Sequence, residues 1–269
     1  MKALIICGDH IRHRFILEPI IKEFSVIKCI VMKRESEIKG KKTIVNNKHE
    51  KKLLKKHFKI RFDEERKNFG KKTIFQIVKK KDILKINPKS LNSGKVITFI
   101  NKFNPNICFL MGPNIIKKNL LNKLPNKTFN IHLGLSPWYR GSATLFWPSY
   151  NMEPWKTGVT FHKINDNADA GPIIHQSICK MKKGMRLVDL SISAMKEAQK
   201  DLYKIIKLLK NKSKIKSYKQ KFYGKSYIGK SFRAVHLKII YDLFNDNIVD
   251  YFLSKNNKEK IPKFKIIKL

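Results

Sequence analysis

Arginine and acidic residues are both scarce in this chain of 269 residues. Arginine stands only at positions 12, 14, 34, 61, 66, 140, 186 and 233, and Asp plus Glu total 20. Because Lys plus Arg total 59, removing those eight arginines leaves 51 lysines, and the formal charge is +39. Lysine, asparagine and isoleucine have adenine- and thymine-rich codons, so coding bias accounts for the excess at least as well as a polyanion-binding role does. The lysines are spread along the whole chain rather than gathered in one stripe, which counts against a dedicated nucleic-acid face. Long apolar runs are missing too: none approaches the ~18 residues of a membrane span. The opening Ala3–Cys7 run is too short for a signal peptide and is followed at once by charge. A cytoplasmic protein with no membrane partner is expected. The four cysteines, Cys7, Cys29, Cys108 and Cys179, lie 22, 79 and 71 residues apart, without the close pairs of a zinc site or disulfide framework. They read as reduced, buried thiols.

What is present is enough apolar surface for a sizeable core. With 42% hydrophobic and 10% aromatic residues, a wholly disordered basic tail is excluded. Ala3–Cys7 reads as a strand leading into Gly8-Asp9, residues 11 to 24 carry helical spacing, and Val26–Met32 reads as a second strand. That is a βαβ-sized unit, and such units imply parallel pairing. Helices are expected over about 48–69 and 91–103 within a lysine-rich stretch that is otherwise hard to parse. Asn106–Met111, bounded by Pro105 and Gly112-Pro113, has the continuous apolar run of a buried parallel strand. A short helix near 115–121 and a strand over Thr128–His132 follow. Two further strands are expected over 157–164 and 172–180, and then a helix over 187–209. The fold is therefore read as α/β, with a mostly parallel central sheet flanked by helices. After Asn211 the pattern changes to a basic stretch, a helix-like segment around 235–244 and a lysine-rich tail. The expected division is a catalytic domain over 1–210 and a small appendage over 211–269.

Asn130 and His132 are two apart at the end of a predicted strand, so their side chains share one side of it. In open α/β sheets, ligands bind beyond the carboxyl ends of strands. Asp166 and Asp169 lie in a turn-rich loop before Gly171-Pro172, and a carboxylate brought beside an imidazole would raise its pKa and fix its tautomer. Spacing alone does not bring Asp169 to His132, and by itself it favours a satisfied structural histidine and leaves a plain loop open for Asp166 and Asp169.

The run Asn130-Ile-His-Leu-Gly-Leu-Ser-Pro-Trp-Tyr-Arg-Gly141, followed by Thr157-Gly-Val-Thr-Phe-His162 and Asp169-Ala-Gly-Pro172, resembles the signature of the folate-dependent formyltransferase family. That family includes methionyl-tRNA formyltransferase, glycinamide ribonucleotide formyltransferase and sugar N-formyltransferases. The resemblance implies a Rossmann-like formyltransferase domain, Asn130, His132 and Asp169 as catalytic residues, and 10-formyltetrahydrofolate as formyl donor. It also implies a pterin cleft formed by Leu110, Met111, Gly112, Pro113 and Ile115 with the loop Ile164, Asn165, Asp166, Asn167 and Ala168. No metal is required by that chemistry.

Two departures from the family pattern matter, the first for the loop geometry and the second for the acceptor. Leu133-Gly134 replaces a proline-containing sequence common in the family, and the first turn, Gly8-Asp-His-Ile-Arg-His-Arg14, lacks the phosphate-binding Gly-Ser-Asn of the purine-pathway members. Arg12, His13 and Arg14 near a helix start are candidates for binding an acceptor's phosphate or carboxylate. Tyr139 and Arg140 are candidates on the other side, amid aromatic residues Phe146, Trp147, Tyr150 and Trp155. The expected partner is a small amine acceptor, foremost a nucleotide-linked amino sugar, with a homo-oligomer left open. A tRNA acceptor is the runner-up, disfavoured because the appendage is short for a tRNA-holding barrel. A non-catalytic polyanion-binding protein is the alternative of another class.

Overall fold

A computed structural model of the chain describes residues 1–33, 43–211, 215–221 and 224–254. The expected lysine-rich tail after Ser254 and parts of the basic stretch 212–225 lie outside the described residues. The strands are β1 (Lys2–Gly8), β2 (Val26–Met32), β3 (Ile83–Ile86), β4 (Ile107–Met111), β5 (Thr128–His132), β6 (Tyr139–Gly141), β7 (Gly158–Lys163), β8 (Ile173–Ile178) and β9 (Lys225–Tyr227). The helices are α1 (Ile11–Glu23), α2 (Lys48–Phe69), α3 (Gly94–Phe103), α4 (Lys118–Leu121), α5 (Trp147–Tyr150), α6 (Leu187–Lys210) and α7 (Ile248–Ser254).

Seven strands form one sheet in the order β3-β2-β1-β4-β5-β7-β8. The first five are parallel to one another, and β7 and β8 add an antiparallel edge. β1 and β4 read as unbroken apolar runs because both faces of the sheet are covered there. One face packs through Ile5, Cys7, Phe109, Met111, Ile131 and Phe161 against α1 and α6, with Ile16, Ile20, Met195 and Leu202 among the residues that meet it. The other face packs through Leu4, Ile6, Cys108 and Leu110 against Val96 and Ile100 of α3 and Leu120 of α4. The four cysteines are free and buried. Burial pushes the Cys29 and Cys179 thiols up to about 12, so they pack as small apolar groups.

Local differences from the expected pattern have physical reasons. β3 escapes notice because it is a four-residue edge strand between Asp82 and Asn87, with Lys85 exposed and no sustained alternation. The helix expected from 91 starts at Gly94, after a separate 3-10 turn over Pro88–Ser90. The helix expected from 115 starts only at Lys118, because Asn92 holds the preceding chain: its amide donates to the Ile115 carbonyl at 3.0 Å and its Oδ1 accepts from Lys117 N at 2.8 Å. The helix-like segment around 235–244 is instead a 3-10 turn over Ala234–His236 and a π turn over Ile239–Leu243. Its Leu237, Ile240 and Tyr241 pack with Leu53 and Leu54 of α2 and with Tyr139, Phe146 and Trp147. Among the described residues, Ala234, Leu237, Ile240 and Tyr241 thus pack onto α2 and the aromatic residues that follow β5. Among the described residues no helix is long and apolar enough to cross a membrane.

Phe109 is fully enclosed at the centre of β4, its ring 6.1 Å from that of Phe24 and 5.9 Å from that of Phe129. Phe109→Ala is expected to cost ~3–5 kcal/mol through the cavity it leaves. Urea denaturation should report this as a lower midpoint with an unchanged slope.

Candidate active site

The register of the sheet decides where polar groups gather. Asn130 pairs with Leu110 on β4 and with His162 on β7, and His132 pairs with Thr160. All of them therefore point to the face that carries α3 and α4. The apolar cover on that face ends at β4. Across β5 and β7 the face becomes Asn130, His132, Thr160 and His162, all buried at 8% exposure or less.

The loop joining β7 to β8 folds back over this polar half. It closes with Lys163 N donating to the Pro172 carbonyl at 2.9 Å, and Gly171 is required because a Cβ there would sit 1.7 Å from the Lys163 carbonyl oxygen. Asp169 adopts a left-handed backbone, φ 51°, which Asp tolerates better than most residues. Its Oδ1 accepts from Asn130 Nδ2 at 2.9 Å, and its Oδ2 accepts from the Gly141 backbone N–H at 3.0 Å. His132 Nδ1 faces Oδ2 at 3.4 Å, and His162 Nε2 lies 3.6 Å from Oδ1. The amide and imidazole that the sequence could not join to the carboxylate therefore both meet it.

The hydrogen bonds assign donors and acceptors. His162 Nδ1–H donates to the Lys163 carbonyl at 2.8 Å, leaving Nε2 to accept from Asn130 Nδ2 at 3.1 Å. The carboxylate on one side requires the Asn130 amide to present its nitrogen, so both of its N–H groups are engaged. Its Oδ1 is buried without a partner among the described residues. His132 Nε2–H donates to the Tyr139 carbonyl at 2.9 Å. Burial lowers the His132 pKa more than Asp169 and the Tyr139 carbonyl raise it, with His162 and Arg140 also lowering it. For Asp169 burial acts upward, but His132, His162 and Gly141 N–H together hold its carboxyl well below the usual carboxylate range. Near neutral pH the pair is thus an ionised carboxylate beside a neutral imidazole, and a proton taken up at Nδ1 would bridge to Oδ2. The arrangement can accept a proton and return it.

Gly134 explains the departure at Leu133-Gly134. A Cβ there would come within 2.6 Å of His132 Nε2 and of Thr144 Cβ. Thr160 Oγ1 donates to the Gly134 carbonyl at 2.7 Å and accepts from Ser136 N at 2.9 Å, so the loop after β5 is pinned to β7.

The remaining residues singled out from sequence divide. Leu110 and Met111 are buried in the core on opposite faces of the sheet, Leu110 on the face it shares with Asn130. Gly112, left-handed at φ 60°, and Ile115 are exposed, and Pro113 is half-buried. Ile164 packs against the α3-side core, while Asn165, Asp166, Asn167 and Ala168 are exposed on the loop that carries Asp169. The arginines go elsewhere. Arg12 is buried in an ion pair with Glu65 of α2 at 3.0 Å. Arg14 donates to Glu18 at 3.2 Å, to the Lys72 carbonyl at 3.2 Å and to the Phe69 carbonyl. Both are held by protein acceptors in the α1–α2 joint rather than offered to a ligand, which corrects the anion-binding expectation for them. His13 Nδ1 lies 3.0 Å from Gly8 N, and its ring borders Gly112. Tyr139 contributes its backbone carbonyl to His132, while its hydroxyl donates to Glu153 at 2.6 Å. Arg140 Nη2 is 3.4 Å from the Gly224 carbonyl. Trp147 stacks on Tyr227 at 4.4 Å and Trp155 on Phe252 at 4.4 Å, so these two aromatics are packed. The site groups missed from sequence are His162, quoted in a motif without a role, and the Gly141 amide, which has no side-chain signal.

A family model described as formyl transferase matches residues 28–206. The chain belongs to that family. Among curated relatives, the bifunctional polymyxin resistance protein ArnA of Wigglesworthia glossinidia brevipalpis is 32% identical over 140 residues, covering 50% of this chain and 19% of that protein. The methionyl-tRNA formyltransferase of Buchnera aphidicola is 27% identical over 215 residues, covering 74% of this chain and 67% of that one. Similar solved structures include an N-formyltransferase from Helicobacter canadensis in complex with folinic acid and dTDP-3-aminofucose, at 19% identity and TM-score 0.56, covering 89% of this chain and 80% of that one. Another is a phosphoribosylglycinamide formyltransferase from Anaplasma phagocytophilum, at 16% identity and TM-score 0.54, covering 79% and 88%. The fold is that of formyl-transferring enzymes.

The depressed Asp169 pKa has a stability consequence. A carboxyl whose folded pKa lies below its unfolded value of ~3.9 contributes stability that is complete above that value and is lost as pH falls below it. Asp169→Asn should therefore destabilise the fold most at neutral pH, and the gap to the parent should narrow only below about pH 4. Urea unfolding of both proteins across that range checks it.

Proposed function

We propose that this protein transfers a formyl group from 10-formyltetrahydrofolate to the primary amine of a small acceptor, foremost an amino sugar carried on a nucleotide. The observation that carries the reading is the Asp169 carboxylate bonded to Asn130 while facing Nδ1 of His132. The donor residues suit the chemistry: a buried amide, a neutral imidazole and an ionised carboxylate adjoin exposed backbone at Gly112 and at 165–168, where a flat heteroaromatic ring needs few orienting groups. When bound, the formyl-folate supplies the electrophilic carbon.

The neutral amine attacks that carbon, and negative charge grows on the formyl oxygen. Asn130 is the donor for that oxygen. Its N–H on Asp169 is a charge-assisted bond that stays in place, so the N–H now on His162 Nε2 is the one the oxygen would share. His132, once it has taken a proton at Nδ1, would stabilise that charge through its own positive charge, while its two N–H groups stay on Asp169 and the Tyr139 carbonyl. Asp169 stabilises the imidazolium that forms, and the proton given up by the amine passes through this pair to the departing folate nitrogen. No covalent bond to the protein forms.

The amino-sugar acceptor draws support from sugar N-formyltransferases of similar fold, such as the one from Francisella tularensis described as a 4-N formyltransferase. A methionyl-tRNA acceptor is the second reading, favoured by the similarity over most of the chain to the Buchnera enzyme. Purified protein given formyl-folate and, separately, nucleotide-linked amino sugars and methionyl-tRNA separates the two by which amine becomes formylated. Replacing Asn130, His132 or Asp169 with Ala is expected to lower turnover by roughly 100-fold or more. His132→Ala should leave the folate dissociation constant within about two-fold, because the imidazole acts on developing charge rather than on the pterin. Unchanged turnover in all three variants refutes the site. Tight, salt-resistant nucleic-acid binding without folate binding would favour the non-catalytic alternative.

A further inference from the structure

The chain beyond α6 returns to the site. Tyr218 forms an antiparallel bridge with Ile173 of β8, its N–H donating to the Ile173 carbonyl at 2.7 Å and its carbonyl accepting from Ile173 N at 2.8 Å. In an antiparallel pair, two residues onward on one side lie opposite two residues back on the other, which puts Gln220 beside Gly171. There its Nε2 donates to the Gly171 carbonyl at 2.8 Å and to the Asp169 carbonyl at 3.0 Å. The amide cannot be turned over, since that would set its oxygen against two carbonyl oxygens. Gln220 is 6% exposed, and it lies outside the stretch matched by the family model, residues 28–206.

We infer that Gln220 is a positioning residue for formyl transfer, clamping the left-handed Asp169 so that its carboxylate meets Asn130 and His132. The clamp grips the backbone just where it takes the left-handed turn, and the carboxylate is the far end of the same residue. Ser136 Oγ donates to the same Asp169 carbonyl at 3.2 Å, so the carbonyl has two donors, from the catalytic loop and from the returning chain. A few residues on, Gly224 N donates to the Pro137 carbonyl at 2.9 Å and β9 pairs with β6. The same stretch of chain thus holds both loops that meet at the carboxylate.

The catalytic part of this inference rests on the proposed formyl transfer; the positioning part does not. The groups facing His132 are Asp169, His162 and Arg140, and those facing Asp169 are His132 and His162. If the clamp sets the carboxylate beside the imidazole, losing it removes the one neighbour that raises the His132 pKa by charge. The experiment follows the imidazole of His132 by NMR in the full chain without donor, comparing the parent, Gln220→Leu and, as benchmark, Asp169→Asn. Gln220→Leu is expected to move the His132 titration midpoint down, in the same direction as Asp169→Asn, by on the order of half a pH unit or more. Its kcat should fall about ten-fold or more, with the formyl-folate KM within about two-fold.

Gln220→Glu gives a second measure in one folded protein. Its neutral carboxyl still donates to a carbonyl, whereas the ionised form faces two carbonyl oxygens, so its turnover relative to the parent should fall as pH rises from about 5.5 to 8. This variant decides the matter if Gln220→Leu does not fold. A His132 midpoint unmoved in Gln220→Leu but moved in Asp169→Asn overturns the inference, as does a Gln220→Glu profile parallel to the parent. A moved midpoint in a parent that formylates no amine leaves the clamp standing and removes the proposed function instead.

Discussion

The site depends on one carboxylate held in an unfavourable place. Asp169 is largely buried, and burial alone would push a carboxyl toward its neutral form. It stays ionised because the Asn130 amide and the Gly141 backbone N–H donate to it, and the two histidines beside it add positive charge whenever they are protonated. The carboxylate in turn orients Asn130 and, through it, His162. Asn130 presents its nitrogen rather than its oxygen because of Asp169, and His162 then has to receive an N–H at Nε2, which places its own proton on Nδ1 against the Lys163 carbonyl. One charge therefore fixes the donor and acceptor sense of Asn130 and His162, while the Tyr139 carbonyl fixes that of His132.

The sheet supplies the place for that charge. Five parallel strands under α1 and α6 give a continuous apolar face, but on the opposite face α3 and α4 cover only the β1–β2–β4 side. A polar cluster could not sit under those helices without costing several unsatisfied groups. It sits one strand over, where β5 ends its parallel run and β7 comes in antiparallel. The change of direction matters, because only an antiparallel neighbour allows a short connection to fold back and return a side chain to the strand it has just left.

Much of this was legible in the sequence. The unbroken apolar runs of β1 and β4 and the helical spacing of α1 and α6 follow from burial, which leaves a mark on every residue of an element. The two-residue spacing of Asn130 and His132 placed them on one side of a strand. What joins them to Asp169, however, is a β-hairpin register and a left-handed turn, and no local pattern records either. Arg12 and Arg14 misled for a related reason: a helix start with two arginines looks open to anions until Glu65 and the end of α2 occupy them. The edge strand β3, the pairing of β6 with β9 and the return of Gln220 are short or made through backbone, so composition and periodicity are silent on them.

Gln220 reaches its neighbours only through main-chain oxygens, those of residues 169 and 171. A carbonyl is the same whichever side chain its residue bears. Substitution in the hairpin is thus invisible to this contact so long as the backbone path is kept, whereas the amide on the other side has no such freedom. Drift across a lineage should be lopsided, with the surface of the hairpin varying around a glutamine that does not.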